Sequence, residues 1–248
     1  MSVGNFGQLD GKIAPLPLDP GRYQLVSFDC YGTLIDWEAG ILGAWQPILR
    51  AHGCDWEERE ILARYAALES AIQREPYRIY REVLREVTRR LAAVVGFVPT
   101  AEELDCLPES LPQWRPFPDT VTALQKLRHR YPLVILSNID NDLFSGTAKQ
   151  LEVEFDFVLT AQQLGSYKPA ARNFAALIRR AGIAPANILH VAESRFHDIA
   201  PARALGLTTV WVPRQNQATI SLSPVSGSEV PPDFVMPDLA SLVAGLGL

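Results

Sequence analysis

The chain has 248 residues, 48% of them hydrophobic and 21% charged, with a formal net charge of −5. Folding at this size buries on the order of 70–75% of the unfolded surface, so a core forms without staples, and this apolar content excludes a disordered chain. The acidic balance argues against a nucleic-acid partner, and no apolar run reaches the ~18 residues that a membrane span needs.

Met1 to Arg22 has no charged start followed by an apolar stretch, so no export signal is read there. Cys30, Cys54 and Cys106 are too scattered for a disulfide framework or a metal pair. A soluble cytoplasmic protein is the expectation. The first 22 residues, with Pro15, Pro17 and Pro20, read as an extended lead-in. Leu25-Val-Ser-Phe28 then ends at Asp29, with Gly32 soon after, the pattern of a buried strand stopping at a turn. From about Glu38 to Leu107 the period turns helical, and Tyr77, Tyr80, Leu84, Val87, Leu91 and Val94 form one apolar stripe. Arg74, Arg78, Arg81, Arg85 and Arg89 beside it read as a solvated face paired with Glu82 and Glu86.

Pro108, Pro112, Pro116 and Pro118 around Trp114 and Phe117 mark a hinge or boundary. Beyond it, helices and strands alternate. A helix capped by Asp119 runs to about Arg130, then a strand covers Leu133 to Leu136. A helix from Phe144 to Leu151 precedes a strand at Phe157 to Thr160, and a helix from Ala170 to Ala181 stops at Gly182. The strand Ile188 to Val191, the helix Ile199 to Leu205 and the strand Thr209 to Val212 follow. Residues 213–237 read as a long loop rich in Ser, Pro and Gln. The alternation predicts βαβ units and a parallel sheet, interrupted after its first strand by a helical insert.

Open parallel sheets bind ligands beyond the carboxyl ends of their strands. Asp29 ends the first strand, Ser137 and Asn138 follow the second, Lys168-Pro169 lies after the third, and Glu193, Ser194 and Asp198 follow the fourth. Alone, each has an ordinary structural explanation as a cap, turn or solvated loop. Together, carboxylates, an ammonium and a hydroxyl at one sheet edge point to chemistry.

Asp29-Cys-Tyr-Gly-Thr33, Ser137-Asn138, Lys168-Pro169 and Glu193-Ser194 through Asp198 resemble the four ordered motifs of the haloacid dehalogenase (HAD) superfamily. The resemblance covers about Tyr23 to Val212. It implies a Rossmann-like α/β core, residues 1–36 and 115–248, with an α-helical cap over residues 37–114. It also implies a nucleophilic Asp29 forming an aspartyl ester, with Lys168 keeping it ionised. Asp198 would orient Lys168 and the hydrolytic water, while Thr33 and Ser137 would hydrogen-bond the carboxylate or the substrate.

Superfamily phosphatases place a second Asp two residues after the nucleophile, as general acid; this chain has Tyr31. The Asp-x-Tyr-Gly-Thr form is similar to the L-2-haloacid dehalogenases, whose halide leaves without a proton. A phenol of ordinary pKa near 10 is a poor acid at neutral pH. That resemblance implies displacement of halide from a short 2-haloacid, a small anionic substrate, no metal, and a homodimer. Tyr31, Thr33, Asn138, Trp37 and Arg74 are the expected substrate-binding residues.

The chain departs from that pattern in places. The cap arginine that receives halide aligns near Glu69, with Arg74 or Arg78 as substitutes after a small shift. Ser-Asn-Gly becomes Ser137-Asn138-Ile139-Asp140, and a family tyrosine becomes Phe174. Glu193 with Asp198 recreates an acidic pair, so the alternative is a Mg²⁺ phosphatase with Asp29, the Tyr31 carbonyl, Asp198 and Glu193 as oxygen ligands. Cys30, turned from Asp29 by strand alternation, and His190, within a strand, read as core residues. His197, Trp37 and Trp45 stand between pocket and core roles.

Overall fold

The computed structural model describes residues 18–214 and 230–248. Among these residues six strands form one wholly parallel sheet: β1 (Leu25–Phe28), β2 (Leu133–Ser137), β3 (Phe157–Thr160), β4 (Ile188–Ala192), β5 (Thr208–Trp211) and β6 (Phe234–Val235). Their order is β3-β2-β1-β4-β5-β6, so the winding direction reverses at β1. Such a switch point opens a crevice beyond the strand ends.

Alternation along the strands assigns side chains to two faces. Val26, Phe28, Ile135, Leu189 and Val191 face one core, and Leu25, Val134, Leu136 and Ile188 face the other. All are within 5% of full burial, which explains the near-continuous apolar runs of this parallel sheet.

Between β1 and β2 the chain forms α1 (Trp37–Ala51), α2 (Glu58–Gln73), α3 (Tyr80–Val95), α4 (Ala101–Leu104), α5 (Cys106–Ser110) and a 3-10 turn (Leu111–Gln113), then α6 (Thr120–Arg128). Asp36 caps α1 by accepting from the Ala39 amide at 3.1 Å. Gly40 is required in α1 because a methyl group there would meet Trp114 at 2.3 Å. Thr100 and Glu103 form a reciprocal capping box on α4.

The predicted stripe on α3 holds in its middle and fails at its ends. Tyr80, Leu84, Val87 and Leu91 are buried, joined by Val83 and Ala92. Tyr77 precedes the helix at 39% exposure, and Val94 faces outward at 56%. The arginines make the expected surface pairs, Arg85 with Glu82 and Arg89 with Glu86, and Arg85 also grips Asp105.

The remaining helices are α7 (Asn141–Leu151), α8 (Ala161–Leu164), α9 (Ala171–Ala181), α10 (Ala200–Ala204) and α11 (Leu239–Gly245). Gly182 ends α9 in the left-handed region at φ 68°, as its position suggested. Asp119 precedes α6 without capping it; its carboxylate instead accepts from Arg214 and from the Leu239 amide. The segment before α10 is a π-helical turn, Arg195–Ile199. The expected loop over 213–237 contains β6, and 215–229 lie outside the described residues, as do 1–17 of the lead-in. No described helix is long and apolar enough to cross a membrane.

Candidate active site

Asp29 follows β1 at the switch point and is 7% exposed; Lys168 and Asp198, from the segments after β3 and β4, are 2% and 1% exposed. The Lys168 ammonium donates to Asp29 Oδ1 at 2.8 Å, Asp198 Oδ1 at 2.6 Å and the Leu136 carbonyl at 3.0 Å. An ammonium has three N–H donors, so all are engaged. Thr33 Oγ1 donates to Asp29 Oδ2 at 2.7 Å and accepts from the Glu193 amide at 2.9 Å. Asp29, the nucleophile that the resemblance implies, is thus gripped on both oxygens.

Electrostatics here follow from burial and from two carboxylates sharing one cation. Desolvation pulls the Lys168 ammonium down, but Asp198 and Asp29 together outweigh it and hold the pKa above the ordinary lysine value. Burial pushes the Asp29 carboxyl up, with Lys168 and Thr33 opposing. Asp198 is held below the usual range because Lys168 and His190 overcome its desolvation. Glu193 is pushed up to about 8 by burial and by the charges of Asp29, Asp198 and Glu38. Desolvation lowers His197 to about 4, leaving a neutral imidazole at neutral pH.

These groups line a cavity of about 150 Å³ with the helical segment as its other wall. That equals about five water-sized volumes, room for a ligand of roughly half a dozen heavy atoms. Tyr31, Ser137, Asn138, Ser194 and His197 complete the sheet side; Trp37, Tyr65, Glu69, Gln73, Tyr80 and Trp114 are among those closing the other. The Ser137 hydroxyl is buried with no hydrogen-bond partner among the described residues.

Several candidates take other positions or partners. Arg74, the expected substrate-binding arginine, is exposed at the C-terminal cap of α2 and does not line the cavity. Arg78 is outside it too, paired with Glu75. Among the described residues the cavity contains no arginine, and Glu69 faces it instead. Thr33 braces Asp29 rather than lining the ligand space. Both ends of the Asn138 amide are tied to the Lys168 backbone, at 2.7 and 3.1 Å, so this residue holds the lysine segment. The Tyr31 ring lines the cavity, but its hydroxyl pairs with Thr147 at 2.8 Å. Trp37 is in the wall, at 5.6 Å centroid distance from Tyr65, whereas Trp45 and Cys30 are core.

His190 goes beyond the core role read from its strand position. Its Nε2 lies 3.1 Å from Asp198 Oδ1 and its Nδ1 2.6 Å from Ser27 Oγ. Ser27 and His190 are register partners on β1 and β4, each the one polar residue inside an apolar run. That coincidence was the available signal. Phe174 closes this network at its edge, 5.4 Å from the His190 ring. Asp140 also acquires a role: its carboxylate accepts from the Tyr80 and Arg81 amides, both at 2.8 Å, capping α3 from across the cavity rim.

A family model described as haloacid dehalogenase-like hydrolase matches residues 23–206. The chain belongs to that family. The (S)-2-haloacid dehalogenase of Xanthobacter autotrophicus is 26% identical, over 89% of this chain and 95% of the relative. Haloacid dehalogenase-like hydrolase domain-containing protein 3 of Mus musculus is 30% identical, over 65% of this chain and 64% of the relative. The solved L-2-haloacid dehalogenase of X. autotrophicus superposes with a TM-score of 0.78 at 22% identity, covering 90% and 97% of the two chains. That likeness is one of fold: a parallel HAD sheet with helices around it.

In this HAD hydrolase, two of the carboxylates named for the alternative magnesium site, Asp29 and Asp198, are already engaged by protein donors. Lys168 occupies one oxygen of each of Asp29 and Asp198, and Thr33 occupies the other oxygen of Asp29. Among the described residues, no three His, Cys, Asp or Glu side chains converge closely enough to ligate one.

Proposed function

We propose that this hydrolase dehalogenates short 2-haloacids with Asp29 as nucleophile, the helical residues 37–114 acting as cap over a core of 1–36 and 115–248. The observation that carries this reading is the buried Asp29 carboxylate, bracketed by Lys168 and Thr33, with Tyr31 two residues later turned to Thr147. An alkoxide leaving a phosphate ester needs a proton, and burial pushes the Tyr31 phenol further up, so it supplies none at neutral pH. A halide leaves as the anion and needs no such donor. The names of the dehalogenase relatives point the same way.

An Asp29 oxygen attacks C2 of the acid; the C–O bond forms as the carbon–halogen bond breaks, and halide departs with the bonding pair. Attack from the side opposite the halogen inverts C2. Ser137 Oγ is the available donor for the substrate carboxylate. Water then adds to the ester carbonyl of Asp29. Asp198 Oδ2, buried and accepting no hydrogen bond among the described residues, orients that water. Cleavage of the acyl C–O bond releases the 2-hydroxy acid, restores the Asp29 carboxylate and frees one proton. Lys168 holds the negative charge of Asp29 before attack and after release. No step needs a metal. The homodimer implied by the resemblance and the cytoplasmic location expected from composition belong to the same reading, and sedimentation of the purified chain checks the dimer.

Halide release from chloroacetate, with and without EDTA, tests the assignment beside phosphate release from p-nitrophenyl phosphate with and without Mg²⁺. Metal-independent halide release that vanishes in Asp29→Asn is expected. EDTA-sensitive phosphate release without halide would overturn the reading in favour of the phosphatase.

A further inference from the structure

Glu69 stands on α2 in the cavity wall that faces Asp29. Its Oε1 accepts three hydrogen bonds: from Tyr80 Oη at 2.5 Å, Gln73 Nε2 at 3.2 Å and Tyr65 Oη at 3.4 Å. The two tyrosine hydroxyls are 3.0 Å apart, and both tyrosines are buried. Among the described residues, Oε2 accepts nothing. Burial pushes the Glu69 carboxyl up, with the Tyr80 and Tyr65 hydroxyls opposing; three donors converging on one oxygen fix the carboxylate's orientation, while the second oxygen is left for a ligand.

The rest of the cavity sharpens what that ligand must carry. Among the described residues its one ammonium is Lys168, with every N–H engaged by the protein, and no arginine lines the space. A ligand group reaching the α2 wall therefore meets an acceptor. A methyl group there would leave the carboxylate oxygen without a partner, and an anion would be repelled. A hydroxyl or ammonium would satisfy it.

We infer that the substrate carries a hydrogen-bond donor beyond the carbon attacked by Asp29, and that Glu69 Oε2 receives it. On the dehalogenase reading, on which the identity of the attacked carbon rests, the substrate class is a short 2-haloacid bearing a hydroxyl or ammonium group past C2. Glu69 is then a specificity residue, and Tyr80 and Tyr65 position it.

Matched ligands test this without turnover. In Asp29→Asn, calorimetry compares 2-chloro-3-hydroxypropanoate with 2-chlorobutanoate, and 4-amino-2-chlorobutanoate with 2-chloropentanoate, each pair differing by a donor in place of a methyl. At least about tenfold tighter binding of one donor-bearing member is expected, roughly 1.4 kcal/mol. The pair showing it separates hydroxyl from ammonium. Adding Glu69→Leu or Glu69→Gln should abolish or shrink that preference, with thermal melts confirming that the variants fold. In the otherwise unaltered enzyme, Tyr80→Phe should raise KM for the donor-bearing acid more than it lowers kcat. Equal binding within both pairs, weaker binding of the donor-bearing members, no binding of any, or a preference that survives both Glu69 variants overturns the inference. Absence of halide release by the unaltered enzyme, with the Glu69-dependent preference intact, sinks the dehalogenase reading and leaves the Glu69 site standing.

Discussion

At the scale of single residues, the site is governed by charge in a small buried volume. Lys168 is the common partner of Asp29 and Asp198, so Lys168→Met leaves two buried carboxylates facing each other. Removing one partner of a buried pair costs about 3–5 kcal/mol. A denaturant titration should show that loss, together with no measurable halide release. Glu193 supplies the pH dependence. With its pKa at about 8 in the folded chain, it is neutral at pH 7 and becomes a third carboxylate beside Asp29 as the pH rises through about 8. Turnover of an anionic substrate should therefore fall across that range, and kcat/KM against pH for Glu193→Gln should lose this alkaline limb. The linked stability has a definite sign. The unfolded chain releases the Glu193 proton near its ordinary value of 4.5 while the folded chain keeps it to about 8, so this group's contribution weakens with rising pH over that window. His197 acts in the opposite direction: the unfolded chain protonates it near 6.5 and the folded chain near 4, so its contribution is lost as pH falls between those values.

At the scale of elements, the junction between α3 and the sheet is made by one carboxylate. Ile79 at the start of α3 provides no side-chain cap, and Asp140, just beyond β2, accepts from the first two helical amides in its place. Tyr167, next to the site lysine, adds a bond from its hydroxyl to the Arg78 carbonyl at 2.8 Å. Asp140 thereby fastens the helix that carries Tyr80. Loss of a helix cap costs roughly 0.5–2 kcal/mol. Asp140→Ala should lower stability by that amount in chemical denaturation, and should raise KM more than it lowers kcat, because the Tyr80–Glu69 wall shifts while Asp29 and Lys168 stay in place. Sequence periodicity found α3 and its buried middle, since period 3.6 is local. It did not find the cap, because Asp140 and Tyr80 are far apart along the chain.

At the scale of the whole molecule, one apolar cluster runs from Val26, Phe28 and Ile135 of the sheet to Trp45, Leu84 and Leu111 of the helical segment. Helices and sheet share this core without a polar break, so heating should give a single transition in which far-UV dichroism and tryptophan fluorescence coincide. Two separated transitions would show that the helical segment unfolds by itself. The cavity opens within this continuous packing, which is how side chains from α2 and α3 come to face the ends of β1, β2 and β4. What the amino-acid sequence determined by itself was the α/β architecture, the helical insertion after β1, and the gathering of Asp29, Ser137, Lys168 and Asp198. Strand and helix periods are local, and a parallel sheet brings the residues that end its strands to one edge. Only the tertiary structure decided that Arg74 faces solvent, that His190 and Ser27 back Asp198, and that Glu69 meets the ligand space with Tyr65 and Tyr80 on one oxygen. Those outcomes depend on the angle and depth at which helices pack over the sheet, quantities set by the summed contacts of distant side chains and written in no short stretch of sequence.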